Sequence, residues 1–163
     1  MNFDKRAFRT ALGTFPTGVA VVTATTDKAD KAPMGITVNS FTSVSLEPPL
    51  ILWCIDRKSD RYDVFTKAKG YTISVLGTCH EEVSSRLARQ GEHKLDGVEL
   101  IRTELGPPAL ADALAVFECE REAVYPAGDH AILIGRVLRF HRHEAGAPLV
   151  FFKGKYGALE SGR

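Results

Sequence analysis

Residues 35–50 read GITVNSFTSVSLEPPL, and this stretch constrains the chain more than any other. Read as an extended strand, it places Thr37, Asn39, Phe41, Ser43 and Ser45 on one face and Ile36, Val38, Ser40, Thr42, Val44 and Leu46 on the other. The first face carries hydroxyls, one amide and a single aromatic. A core-facing strand has no use for so many donors, because each buried one must find a partner or cost free energy. A fully solvated face more often carries Lys and Glu, and none occurs here before Glu47. Short neutral donors beside backbone N–H groups suit a polar, anionic, planar ligand such as a flavin nucleotide. A Ser/Thr-rich edge strand without a ligand has the same letters.

At 163 residues the chain is expected to be one domain, 1–163, large enough to bury a core unaided. A formal net charge of +1 gives no sign of nucleic acid or of a membrane surface as partner. The start, MNFDKRAFRT, has no apolar h-region and is not expected to be a secretory signal, and the run Pro48–Ile55 is too short to span a bilayer. Cys54, Cys79 and Cys119 are odd in number and lack metal spacing. They are expected to be reduced, mostly buried thiols of a cytoplasmic protein.

Phe3, Ala7, Phe8, Ala11, Leu12 and Phe15 recur at helical spacing, with Asp4 as cap and Gly13 and Pro16 as stops. Strands are expected at 18–25, along the Thr37 stretch, at 50–55, 71–76, 98–103, 115–124, 131–141 and 149–152. Asp27–Lys31 reads as a charged turn. Helices are expected at 60–69, capped by Asp60, and at 80–90, closed by Gly91. Strands follow one another without strict alternation with helices. That favours a mainly β (α+β) fold, an antiparallel barrel with a few flanking helices, over a doubly wound sheet.

GxGxxG after a strand, GxxxxGK[ST], HExxH, CxxC and GxSxG are all missing, so a redox cofactor must be held by another route. In DRKSDR, residues 56–61, Lys58, Ser59, Arg61 and the N–H groups of the next helix could converge on a phosphate; a solvated turn reads the same way. YPAGDH, residues 125–130, makes a turn with His130 at its rim. His141 and His143 share a strand face, but Arg139 and Arg142 mark a solvated strand end, and no metal site is expected. FKGKYG, residues 152–157, reads as a tight turn presenting Lys155 and Tyr156 at its tip.

Five segments in series resemble the short-chain flavin reductase family, whose fold is the FMN-binding split barrel. They are FPTGVAVVTA (15–24), GITVNSFTSVSLEPP (35–49), ALAVFECE (113–120), YPAGDHAILIGRV (125–137) and PLVFFKGKYG (148–157). Family members serve as reductase components of two-component flavin-dependent monooxygenases. The resemblance implies a homodimeric split barrel that binds FMN or FAD and takes hydride from NADH or NADPH. It implies flavin contacts at Thr37, Val38, Asn39, Ser40, Phe41, Ser43, Val44, Lys58, Ser59 and Arg61, and nicotinamide contacts at His130, Lys155 and Tyr156. Lys153 and Lys155 stand where relatives often have Arg, and Leu95 where they have Phe.

Hydride transfer needs stacked rings with reacting atoms about 3–3.5 Å apart, and donors near the flavin edge that gains charge. No protein acid or base is obligatory, which fits the lack of any catalytic carboxylate pair or triad signature. The expected activity is an NAD(P)H:flavin oxidoreductase that supplies a separate monooxygenase. Alternatives are a same-fold reductase passing electrons to ferric iron or a cobalt corrinoid, a non-catalytic flavin-binding electron carrier, and a split-barrel binding protein without flavin.

Overall fold

The computed structural model describes residues 3–25, 32–144 and 146–159. The expected charged turn, Asp27–Lys31, lies outside them. Helix α1 (Lys5–Leu12) starts as its letters require, with the Asp4 carboxylate accepting from the N–H groups of Arg6 and Ala7 at 2.9 and 3.1 Å. None of its residues is buried, and Phe8 and Leu12 stay half-exposed.

Seven antiparallel strands form the main sheet: β2 (Ala20–Thr25), β3 (Pro33–Val38), β4 (Thr42–Leu46), β5 (Pro49–Asp56), β6 (Gly70–Val75), β9 (Ala115–Ala127) and β10 (His130–Arg142). Their order is β3-β2-β6-β9-β10-β5-β4. Smaller sheets pair β1 (Thr17–Gly18) with β11 (Leu149–Phe152) and β12 (Lys155–Ala158), and β7 (Leu100–Ile101) with β8 (Ala109–Leu110). Helices α2 (Tyr62–Lys67) and α3 (Glu81–Leu87) flank the main sheet.

The single strand expected through 35–46 is two strands, and they lie on opposite edges of the sheet. Residues 39–41 carry the chain from one edge to the other, so the sheet closes on itself. Ser40 marks the closure: β4 pairs with β5 only as far as Thr42↔Leu52, and beyond it the Ser40 hydroxyl accepts from Cys54 N–H at 2.9 Å. The two-face alternation therefore ends at Val38. It is reset again by a bulge between Ser43 and Ser45.

The closed sheet encloses Val22, Trp53, Tyr71, Ile73 and Leu133, all 0% exposed, with Phe65 of α2 capping them. Trp53 meets Phe65 and Tyr71 edge to face, at 5.3 and 5.5 Å between ring centres. Gly135 is needed here, because a Cβ would stand 2.5 Å from the Tyr71 hydroxyl. A second cluster, with Val21, Leu76, Leu87 and Leu110, packs outside the barrel. Strand β2 contributes to both, which is why GVAVVTAT is apolar without alternating.

Other expectations shift. Helix α2 begins at Tyr62 with no side-chain cap; Asp60 instead accepts from Gly91 N–H at 2.9 Å. Gly91 has φ +83°, the turn expected after α3. The turn near the C-terminus has its positive φ angles at Lys153 and Gly154, so Lys155 and Tyr156 open β12 and do not sit at the tip. Of the three thiols only Cys119 is buried; Cys79 is exposed and Cys54 half-buried.

Candidate functional site

A groove of about 510 Å³ opens where β3, β5, α3 and β10 come together. Thr37, Val38, Asn39 and Ser40 form one wall, and Lys58, Ser59 and Arg61 form another. Ile36, Cys54, Ile55, Asp56, Asp60, Ala88, Gln90 and His130 complete it. Strand register explains the convergence. His130, first in β10, pairs with Asp56, last in β5, and Arg57 N–H donates to Asp129 carbonyl at 2.9 Å. The 57–61 turn therefore leaves the sheet beside His130.

Some polar groups in the groove are already engaged. The Thr37 hydroxyl donates to the Ser84 carbonyl at 2.7 Å, and Ser59 Oγ accepts from Arg61 N–H at 3.2 Å. Asp56 accepts from Lys58 N–H at 2.8 Å, and Ser59 N–H donates to the Asp56 carbonyl, so the turn's amides close the turn itself. Others are free. Among the described residues, no carbonyl accepts from the backbone N–H groups of Asn39, Ser40 and Phe41, and Lys58 forms no ion pair.

Asp129 sits 2.7 Å from His130 Nδ1, and the hydrogen bond from His130 holds its carboxyl below the usual range. An ionised carboxylate only accepts, so Nδ1 carries the proton and Nε2 is left for a ligand. Burial pushes the Cys54 thiol up, partly offset by Ser40, so it is a neutral lining group.

A smaller cavity of about 170 Å³ adjoins the groove, lined by Val19, Thr37, Val38, Asn39, Ala88, Phe151 and Tyr156. Tyr156 exchanges a 2.8 Å hydrogen bond with the Ser84 hydroxyl and packs its ring on Phe151 at 5.5 Å. The end of β3 is thus a wall common to both spaces, with His130 on one side and Tyr156 on the other.

Four residues expected at the site lie outside both spaces. Phe41 packs on Phe117 at 5.6 Å, Ser43 and Val44 are exposed on edge strand β4, and Lys155 is exposed at the start of β12. The separation of β4 from β3 accounts for Ser43 and Val44. Cys54, Asp56, Ala88 and Gln90 were not anticipated. Strand alternation turns Cys54 and Asp56 to the face opposite Trp53, a signal the sequence does carry; Ala88 and Gln90 carry none.

Residues 12–160 match the family described as flavin reductase like domain. FMN reductase (NADH) SmoA of Agrobacterium fabrum is 45% identical over 154 residues, spanning 94% of this chain and 86% of that protein. The flavin-dependent monooxygenase reductase subunit HsaB of Rhodococcus jostii is 34% identical over 157 residues, spanning 96% and 79%. Two solved structures superpose closely. One is the NADH:FAD oxidoreductase SgcE6 of Streptomyces globisporus, in complex with NAD and FAD fragments, with TM-score 0.89, 34% identity and coverage of 96% and 93%. The other is the flavin reductase PheA2, with TM-score 0.87, 37% identity and coverage of 98% and 100%. By fold, by sequence and by the length matched, the chain belongs to the flavin reductase-like domain family.

Proposed function

We propose that the groove binds the flavin and that the nicotinamide of NADH or NADPH lies over the end of β3, bordered by His130 on one side and Tyr156 on the other. The chain is a flavin reductase that supplies reduced flavin to a separate flavin-dependent monooxygenase. The observation that carries this reading is the convergence of residues 37–40, 58–61 and His130 on one groove, although they lie far apart in sequence. Its volume is that of a small-molecule site.

The residues present fit a flavin. The N–H groups of Asn39 and Ser40 have no acceptor among the described residues and lie on the groove wall, suited to a ring edge rich in acceptors. Lys58, exposed and without an ion pair among the described residues, suits a phosphate tail. When bound, the flavin ring supplies the hydride-accepting centre. The chain's own part is to fix ring position through the backbone of Asn39 and Ser40, to present His130 Nε2 to a ligand, and to exclude water with Val38 and Cys54. No side chain has to move a proton.

The working unit is a homodimer. Phe8, Leu12 and Phe15 leave a stripe along and just beyond α1 exposed, and Phe140 is 75% exposed on β10; a second copy would cover such surface. Light scattering that returned a mass near 17.8 kDa at micromolar protein would contradict this. None of the helices in the described residues is long and apolar enough to cross a membrane, and the cytoplasm, where NAD(P)H is available, is the proposed location. The activity is tested by anaerobic mixing of protein, flavin and NADH. Bleaching of the flavin absorbance is expected, and its absence rejects the reading.

A further inference from the structure

Arg61 lines the groove but is only 3% exposed, and nearly all of its donors are spent inside the protein. Nη1 donates to the carbonyls of Gly35 and Leu87 at 3.0 and 2.7 Å, Nη2 to the carbonyl of Arg89 at 2.5 Å, and Nε to Asp60 Oδ1 at 3.1 Å. The other Asp60 oxygen accepts from Gly91 N–H at 2.9 Å. The contacts alternate with the lining. Carbonyls 87 and 89 are held, and residues 88 and 90 between and after them face the groove. Gly35 is held, and Ile36 beside it is the first groove residue of β3. The last carbonyls of a helix have no partner of their own, and a planar guanidinium can satisfy several at once where an ammonium cannot.

We propose that Arg61 is a positioning residue, with Asp60 as its partner, which sets Gln90 and the end of β3 against the ligand instead of contacting a ligand phosphate itself. The proposal rests on the groove being the flavin site. It names Gln90 as the side chain through which Arg61 acts.

The test compares Arg61→Lys, Gln90→Ala and Asp60→Asn. The readouts are amide hydrogen exchange of the ligand-free protein over residues 88–91, fluorescence titration with FMN, and the KM for FMN against kcat. A phosphate ligand needs only a point charge, so Lys would keep FMN affinity and leave ligand-free exchange unchanged. A positioning role gives the opposite. Arg61→Lys speeds exchange over 88–91 and weakens FMN, each by about tenfold or more, and the loss falls on KM and not on kcat. Gln90→Ala weakens FMN with exchange unaltered.

Loss of FMN affinity in Arg61→Lys with wild-type exchange overturns the proposal, as does faster exchange with unchanged affinity. Should Arg61→Lys fail to fold, Asp60→Asn decides. It weakens the Gly91 and Arg61 Nε contacts together, and unchanged exchange together with unchanged FMN affinity overturns the proposal. Wild-type protein that does not bind FMN rejects the flavin reading, whereas the exchange arms judge the clamp separately.

Discussion

Replacing Ser40 by Ala should cost the protein both stability and ligand. Strand β4 stops pairing at Thr42↔Leu52, and the Ser40 hydroxyl supplies the next acceptor for β5, at 2.9 Å from Cys54 N. Alanine removes it and leaves a partly buried N–H without a partner. An unsatisfied donor of this kind costs about 1–3 kcal/mol, and partial access to water favours the lower half of that range. With a urea slope of about 1–3 kcal/mol per molar, the unfolding midpoint should fall by roughly 0.5–1 M. Trp53 is the only tryptophan and is 0% exposed, so its fluorescence reports unfolding of the barrel itself. Ser40→Thr keeps the hydroxyl and should recover most of the loss. Because residue 40 also lines the groove, flavin affinity should fall in Ser40→Ala alongside stability. A midpoint unchanged from wild type, with Ser40→Thr indistinguishable from Ser40→Ala, would refute the view that this hydroxyl closes the sheet.

Four further expectations follow from other parts of the molecule. His130→Ala should lower kcat/KM for NADH by a factor equivalent to about 1–2 kcal/mol while flavin titration stays nearly constant; stopped-flow bleaching at varied NADH checks it, and the reverse pattern rejects the assignment. Tyr71→Phe should be neutral or stabilising, since the Tyr71 hydroxyl is buried without a partner among the described residues. Gly135→Ala should cost about 1–3 kcal/mol by overpacking, and less in the Tyr71→Phe background, where the 2.5 Å clash is gone; additive urea-denaturation losses would contradict that geometry. Burial opposes ionisation of Asp60, but the Gly91 N–H and then Arg61 outweigh it and hold its carboxyl below the usual range. Its folded value lies below its unfolded one, so its contribution is present above the unfolded carboxylate range of about 4 and disappears as pH falls through the folded value. Asp60→Asn should therefore flatten the acid limb of a stability–pH curve, and an unchanged limb would count against the contact.

Elements with strong local signals were legible in the sequence. Asp4 caps α1 as its position implies, Gly91 turns the chain after α3, and the strands expected at 115–124 and 131–141 lie within β9 and β10. The break at residues 39–41 was not legible. No Gly or Pro marks it, and the hydroxyl alternation runs through it unbroken in letters while the chain crosses between sheet edges. Strand β12 was hidden because Gly154 and Gly157 both read as turn residues, although only Gly154 has a positive φ. In the site, Thr37–Ser40, Lys58, Ser59 and Arg61 share one groove, and His130, expected at the nicotinamide with Lys155 and Tyr156, lines that same groove. What Arg61 does there was beyond reach, because its partners are carbonyls 26 and 28 residues away that no local pattern marks.

The crossover at 39–41 joins the two rims of an otherwise open sheet, and the amides of Asn39 and Ser40 within it are ones the proposed ligand would occupy. Occupancy and closure are then two readings of one equilibrium. A bound ligand holds the seam shut, and a shut seam holds the ligand, each raising the other by the same free energy. With the seam empty, its parting is a sub-global opening that need not involve complete unfolding. Ligand in excess should suppress that opening by RT ln(1 + [L]/Kd) and leave the exchange of β6 and β9, on the far side of the barrel, governed by global stability alone.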